Sequence, residues 1–238
     1  NHSNVISKQF ADIWEPLVSE TTMPRFLRKV YSIEYNELKK KILEQDLSFA
    51  HEIIGSIYSG DVYLIKNAFS KDFMVSLKEK TVKFFAKEPS SFHKMLEGCP
   101  DFHCIIDEKK AGFYALKMIK HSAYFFLWNN DPLGVFSEIY ERWRLLKLLQ
   151  GFAWNAYEQF TPKDGAVDRV QVVRYPPRIG MLETHTDPYV LQRLFISGYI
   201  SKIGEEFKTG GFYLINQEKQ KEELLKLKKG LTEILNLI

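Results

Sequence analysis

The chain has 238 residues, a formal net charge of +3, and 45% apolar and 26% charged residues. These proportions are typical of a globular protein and exclude a disordered one. The small net charge and the dispersed lysines argue against nucleic-acid binding. The absence of any run of 18 apolar residues argues against a transmembrane helix.

The two cysteines, Cys99 and Cys104, are too few for a disulfide scaffold in a chain of this length. We therefore expect a reducing, cytoplasmic location. The pair could join His93 and His103 in a zinc site, but zinc sites usually show a tighter Cys-x-x-Cys spacing with a matching second half. Two thiols beside a loop are the favoured interpretation.

The first third of the chain predicts an α+β opening. Residues from about 11 to 58 indicate mostly helix, and Ser32 is the expected N-cap of a helix over "SIEYNELKKKILEQ". The stretch "GDVYLIKNAF" (60–69) predicts a strand after a Gly-Asp turn. A helix should follow over "SKDFMVSLKEKTVKFFAKE", capped by Ser70.

The middle of the chain predicts one strand and one long helix after an irregular stretch over residues 88 to 120. The segment "HSAYFFLWNND" (121–131) indicates a strand that ends in an Asn-Asn-Asp turn. The segment "DPLGVFSEIYERWRLLKLLQGFAWNAY" predicts a helix capped by Asp131, with Pro132 in its first turn. Its apolar stripe is expected to back a sheet.

The last third predicts short strands and then a helix. "VDRVQVVRY" indicates a strand that Pro176 and Pro177 stop, and "VLQRLFISGYIS" and "KTGGFYLINQ" indicate two more. This pattern, after a helical half, suggests a β-sandwich or barrel backed by helices. The leucine and isoleucine spacing in the tail predicts an amphipathic helix over 218–238, with Gly230 as its weak point.

A His-x-Asp pair within "RYPPRIGMLETHTDP" is the strongest chemical signal in the sequence. In a strand, His185 and Asp187 point to the same face. An imidazole nitrogen and a carboxylate oxygen form part of the two-His-one-carboxylate facial triad, which leaves three positions of an iron ion open. The pair alone occurs by chance in many chains and is then an ordinary polar strand end.

Three neighbouring features add weight to the pair. Tyr175 precedes His185 by ten residues, and Gly180 permits a tight turn between them. Gly210 and Gly211 open an apolar strand further along the chain. The stretches "VVRYPPRIGMLETHTDP" and "TGGFYLI" together resemble the iron(II)- and 2-oxoglutarate-dependent dioxygenases.

The resemblance is firm over about 167–217 and looser over 60–150, where "DVYLIKNAFSKDF" looks like the family's usual strand-then-helix opening. It implies an α+β fold with a double-stranded β-helix (jelly-roll) core and helices packed outside. The chain would form one oxygenase-like domain over 1–238. That domain would have a helical N-terminal region (1–59), a jelly-roll core (60–217) and a C-terminal helix (218–238).

The resemblance also implies roles for particular residues. His185 and Asp187 become the catalytic iron ligands, and Tyr175 matches a position that donates a hydrogen bond to the cosubstrate carboxylate. Tyr175 could instead anchor the barrel rim. Tyr199 and Arg193 could face the cofactor pocket or be structural. The implied reaction uses Fe(II), 2-oxoglutarate and dioxygen to hydroxylate a C–H bond of a small-molecule or peptide-type substrate.

The sequence departs from the family pattern after the Gly-Gly strand. The family has a second iron-binding His there, and then an Arg or Lys that pairs with 2-oxoglutarate. After Gly211 this chain has no His and no Arg. A segment missing near Gln217–Glu218, a degenerate relative without iron, or a ligand from upstream would each account for this. An iron site that needs only two protein ligands would also account for it.

Two alternatives from other functional classes stay open. The protein could be a non-catalytic jelly-roll that acts as a binding or interaction module, with its leucine-rich tail as the contact element. It could also be a cupin-like protein that binds a metal or a sugar without redox chemistry.

Overall fold

The computed structural model describes residues 2–18, 26–88, 103–104, 118–163, 165–185, 193–223 and 234–237. Over these residues the protein is a mixed α/β structure with five helices and small sheets. None of the helices in these ranges is long and apolar enough to cross a membrane. The chain divides into two compact units. Unit 1 comprises Asn1–Val75, Ser137–Ala156 and Pro188–Ile238, and unit 2 comprises Ser76–Phe136 and Tyr157–Asp187.

The helices and strands alternate irregularly along the chain. The helices are α1 (His2–Val18), α2 (Tyr35–Leu43), α3 (Leu47–Tyr58), α4 (Lys71–Lys87) and α5 (Phe136–Leu149). The strands are β1 (Val30–Glu34), β2 (Val62–Lys66), β3 (His103–Cys104), β4 (Met118–Ile119), β5 (His121–Phe125), β6 (Val170–Arg174), β7 (Met181–Leu182), β8 (Phe195–Gly198), β9 (Tyr213–Ile215), β10 (Lys221–Glu223) and β11 (Ile234–Leu237).

Unit 1 contains a four-stranded sheet in the order β1-β2-β11-β8. The β1 and β2 strands are parallel, and β11 runs antiparallel to both β2 and β8. The β2 strand is apolar on both faces because both are covered. Ile65 belongs to the helical core, whereas Val62 and Leu64 pack in a second cluster with Leu27. This two-sided burial explains the continuous apolar run in the sequence.

The helical core of unit 1 joins four helices to β1 and β2. Apolar residues recur at helical spacing along α1 and bury one face of it. The Trp14 indole N–H donates to the Leu149 carbonyl oxygen at 2.8 Å, which links α1 to the end of α5. The fully buried side chains of this core include Ile6, Phe10, Trp14, Leu38, Ile42, Ile54, Ile57, Ile65 and Leu149.

A buried carboxylate connects the start of β2 to two other elements. Arg28 donates to the two Asp61 oxygens, from Nε at 2.8 Å and Nη2 at 2.6 Å. The Ser56 hydroxyl donates to Asp61 at 2.6 Å and accepts from the Tyr63 hydroxyl at 3.0 Å. Burial favours a raised pKa for Asp61, but the bonds from Arg28 and Ser56 outweigh it and hold that pKa below its usual value.

Unit 2 contains a three-stranded antiparallel sheet in the order β3-β5-β6 and a separate β4-β7 pair. All five residues of β5 are buried. The second half of α4 packs on this strand. The Phe84 ring meets Phe125 edge-on at 5.4 Å between centroids, and the Phe85 ring lies 4.2 Å from that of His121.

Most of the predicted elements are confirmed. The β2 strand, the α4 helix and the strands β5, β6, β8 and β9 lie where the sequence indicates them. Ser70 caps α4, because its hydroxyl accepts from the Phe73 amide at 3.1 Å. The sequence predicts that Asp131 caps the next helix. It accepts from the Val135 and Phe136 amides at 3.0 and 2.8 Å, but it lies ahead of the N-cap position. The α5 helix begins only at Phe136, however, so Pro132 precedes it.

Two predictions are wrong. Ser32 is not an N-cap but lies within β1, and the following helix begins at Tyr35. The helix predicted over 218–238 is also wrong where the tail is described, since Lys221–Glu223 pairs with β9 and Ile234–Leu237 pairs with β2 and β8. In both places, strand pairing overrides a local helical pattern. The partner strand is distant in sequence for β1 and β11, and it is the neighbouring strand β9 for β10.

Replacing Asp61 with Asn should lower the free energy of unfolding at neutral pH by about 1–3 kcal/mol, because the network loses its charge and one of its two acceptor oxygens. The folded-state pKa of Asp61 is lowered, so its contribution is present above the unfolded pKa of about 3.9 and is lost as pH falls through the folded pKa. The free energies of unfolding of the wild type and of Asp61→Asn, measured by urea titration, should therefore converge in acid.

The control is Asp12→Asn in the exposed Lys8–Asp12 pair on α1. This change should leave the free energy of unfolding nearly unchanged, because exposed ion pairs contribute little. A loss for Asp61→Asn that is equally large at neutral and acid pH would contradict the ionic role of Asp61.

Candidate functional site

The turn between β6 and β7 in unit 2 carries the residues that the sequence singles out. The β6 strand ends at Arg174, and the turn closes where the Gly180 amide donates to the Pro176 carbonyl oxygen at 2.9 Å. Arg178, at the tip of the turn, has a φ of 70° in the left-handed region. This conformation is uncommon for a residue with a side chain.

Gly180 is required by a close approach of two backbone segments. A Cβ at this position would lie 2.6 Å from the Pro176 carbonyl oxygen and 2.8 Å from Cβ of Tyr175. Both distances are far inside van der Waals contact. The glycine predicted for a tight turn is therefore required because no larger residue fits beside Pro176 and Tyr175.

His185 follows β7 at the protein surface. Its Nδ1 lies 2.8 Å from the Glu183 carbonyl oxygen. A carbonyl oxygen only accepts hydrogen bonds, so Nδ1 carries the proton and donates it. In the neutral ring the lone pair then falls on Nε2. A backbone carbonyl that orients the ring in this way is typical of metal-binding histidines.

Tyr175 lies directly after β6 and is 47% exposed. Burial of the rest of the side chain raises the pKa of its phenol above the ordinary value. A tyrosine phenol is protonated at neutral pH in any case, so the hydroxyl can donate a hydrogen bond to a carboxylate. Asp187 lies outside the described residues, so the structure places one of the two predicted iron ligands.

Arg193 belongs to unit 1, where it is held by packing. Its guanidinium Nη1 donates to the Gln150 carbonyl oxygen at 2.8 Å. The same guanidinium lies 5.7 Å from the Trp14 ring centroid and 5.2 Å from that of Phe152. The Gln150 side-chain oxygen accepts from the Arg193 and Leu194 amides, both at 3.0 Å. These contacts are those of a structural arginine.

Tyr199 also lies in unit 1 and packs in an apolar cluster. It contacts the group formed by Leu27, Val62 and Leu64. Its ring centroid is 5.8 Å from that of Phe212. The structural interpretation that the sequence left open for Tyr199 is supported by these contacts.

Within the described ranges, no group of three His, Cys, Asp or Glu side chains is placed to hold a metal ion. His185 contributes one suitable nitrogen, and Asp187 is outside those ranges. The sequence did not point to the network of Arg28, Ser56, Asp61 and Tyr63. Arg28 and Asp61 stand 33 positions apart, and no spacing rule connects them.

No protein-family model, curated protein or solved structure matches this chain. The assignment of a function therefore depends on the β6–β7 turn and on the orientation of His185. Both lie in unit 2, and His185 is the described residue of the His-x-Asp pair.

Gly180→Ala should lower the free energy of unfolding by about 1–3 kcal/mol, because the new Cβ overlaps the Pro176 carbonyl and the Tyr175 side chain. Thermal denaturation measures the loss. Arg178→Gly in the same turn is the matched control. It relieves a left-handed conformation and should not destabilise the protein. Equal losses for both variants would contradict the close-approach argument.

Arg193→Lys should lower the free energy of unfolding by about 1–2 kcal/mol, because lysine cannot reproduce the planar stacking on Trp14 and Phe152. Urea denaturation measures this loss. Arg169→Lys at an exposed cation–π contact with Tyr124 is the control, and its loss should be smaller. An Arg193→Lys variant with unchanged stability and weaker 2-oxoglutarate binding would instead assign Arg193 to the cofactor.

Proposed function

We propose that the protein is an Fe(II)- and 2-oxoglutarate-dependent oxygenase that hydroxylates a C–H bond of a small-molecule or peptide-type substrate. The observation that carries this proposal is the His185 ring. The Glu183 carbonyl holds Nδ1–H, so the Nε2 lone pair is set for a metal two residues before Asp187. This is the pair of donor types that non-haem iron sites use.

A double-stranded β-helix is the fold that we propose for the core. Six of the seven pairings between described strands are antiparallel, as a jelly roll requires. The β10 and β11 strands follow the Gly-Gly segment, where the family pattern has further strands. These pairings support the proposal at the level of local topology.

His185 and Asp187 would hold the iron, which with 2-oxoglutarate and dioxygen supplies the oxidising chemistry for C–H hydroxylation. The Glu183 carbonyl fixes the orientation of the His185 ring by accepting from Nδ1. The Tyr175 phenol, which is protonated at neutral pH, would donate a hydrogen bond to a cosubstrate carboxylate.

Exposed apolar side chains on the β6–β7 turn and at the start of β7 would cover a substrate and exclude water. Ile179 is 61% exposed and Met181 is 41% exposed. Apolar groups at this level of exposure gain free energy when a ligand covers them. They favour a substrate with an apolar portion near the reacting carbon.

A non-catalytic jelly-roll that acts as a binding module is the second candidate. It is favoured by the packing of Arg193 within unit 1, because that residue is engaged by Gln150, Trp14 and Phe152.

Anaerobic titration of the protein with Fe(II) and 2-oxoglutarate should produce the weak visible charge-transfer band of the iron chelate. The His185→Ala and Asp187→Ala variants should each lose the band and retain less iron, because each removes one donor from the metal. The control is His51→Ala, an exposed histidine on α3, which should leave the band intact.

Two results would contradict the proposal. Absence of the band in the wild-type protein would reject the enzyme and favour the binding module. A band that persists in both the His185 and Asp187 variants would place the iron elsewhere in the chain.

A further inference from the structure

A groove of about 500 Å³ in unit 1 lies between α3 and the first residues of β1 and β2. Tyr31 and Tyr63 line it from the two strands. Glu52 and Gly55 line it from α3, and Glu37 lines it from α2. The β6–β7 turn belongs to unit 2, so this groove is a separate feature of the protein.

Two aromatic rings form one side of the groove. Tyr31 and Tyr63 are register partners in the parallel β1–β2 pair. Their rings stack with centroids 5.3 Å apart and an interplanar angle of 25°. Tyr31 is 39% exposed, so its ring is accessible to a ligand. The face of a tyrosine ring attracts a cation through its quadrupole.

The charges around the groove favour a cation as well. Arg28 and Asp61 also line it, but they cancel each other through the two hydrogen bonds that join them. The remaining formal charges of the lining residues are the carboxylates of Glu37 and Glu52. Both side chains are exposed, so the residues that line the groove carry more negative than positive formal charge.

Gly55 keeps the α3 side of the groove open. A glycine inside a helix is less stable than an alanine, so an interior glycine usually has a packing reason. Here a Cβ on Gly55 would meet no atom within 4 Å. The space that a side chain at this position would enter is therefore the groove itself.

We propose that this groove binds an organic cation of the alkylammonium class. The ammonium group lies against the Tyr31 ring and is balanced by Glu52 and Glu37, and its alkyl chain runs past Gly55. A free polyamine and the lysine side chain of a peptide present the same chemistry. The proposal does not depend on the oxygenase function.

Calorimetric titration of the whole chain with spermidine, and with a short lysine-containing peptide, tests the proposal. At least one probe should bind, and Glu52→Gln should weaken binding by about tenfold because it removes a charge near the ammonium. Glu44→Gln is the matched control, since Glu44 is an exposed acid outside the groove lining, and it should leave binding unchanged.

Gly55→Leu tests the position of the ligand. The leucine side chain fills the groove and should abolish binding, while the thermal midpoint should not fall because leucine is a better helix former than glycine. If that variant fails to fold, Glu52→Gln at an exposed position decides the question by itself.

A peptide with acetylated lysine separates the two sources. Loss of peptide binding on acetylation, with spermidine still bound, confirms recognition of the ammonium group. Binding of spermidine alone favours a free amine, and binding of the unmodified peptide alone favours a protein partner. Failure of both probes to bind the folded wild-type chain would overturn the proposal. Equal binding by wild type, Glu52→Gln and Gly55→Leu would also overturn it.

Discussion

The buried Asp61 carboxylate needs charged and hydrogen-bonding partners. This requirement organises the part of unit 1 around Asp61. A carboxylate removed from water is strongly destabilising unless charge and hydrogen bonds compensate it. Arg28 and Ser56 supply both, and Tyr63 extends the network through Ser56. Residues ahead of β1, on α3 and at the start of β2 are thereby held together. The groove that we assign to an organic cation is lined by the same residues.

Lack of a side chain shapes both proposed sites, but for opposite physical reasons. At Gly180 a Cβ would clash with Pro176 and Tyr175, so the β6–β7 turn requires a glycine there. At Gly55 a Cβ would meet nothing, so the glycine leaves a cavity open. Gly180 is therefore a constraint on folding. Packing does not explain the glycine at position 55, and for that reason we connect it with a ligand in the groove.

The candidate iron site was partly predictable from sequence. The His-x-Asp spacing and the Pro-Pro turn pointed to Tyr175 and His185, and the structure adds the Glu183 carbonyl that orients the His185 ring. The surroundings of Arg193 were not predictable. Its partners are Trp14, on α1, and Gln150, directly after α5, and only packing brings these distant residues to one guanidinium.

Local signals in the sequence determined the helices and strands that depend on interactions between residues close together in the chain. The Ser70 cap, the apolar run of β2 and the prolines after β6 act within a few residues, so α4, β2 and the end of β6 followed from them. Tertiary structure decided the rest. Ser32 lies in β1 and Ile234–Leu237 forms β11, because ladder hydrogen bonds to strands distant in sequence outweigh a weak local preference for helix.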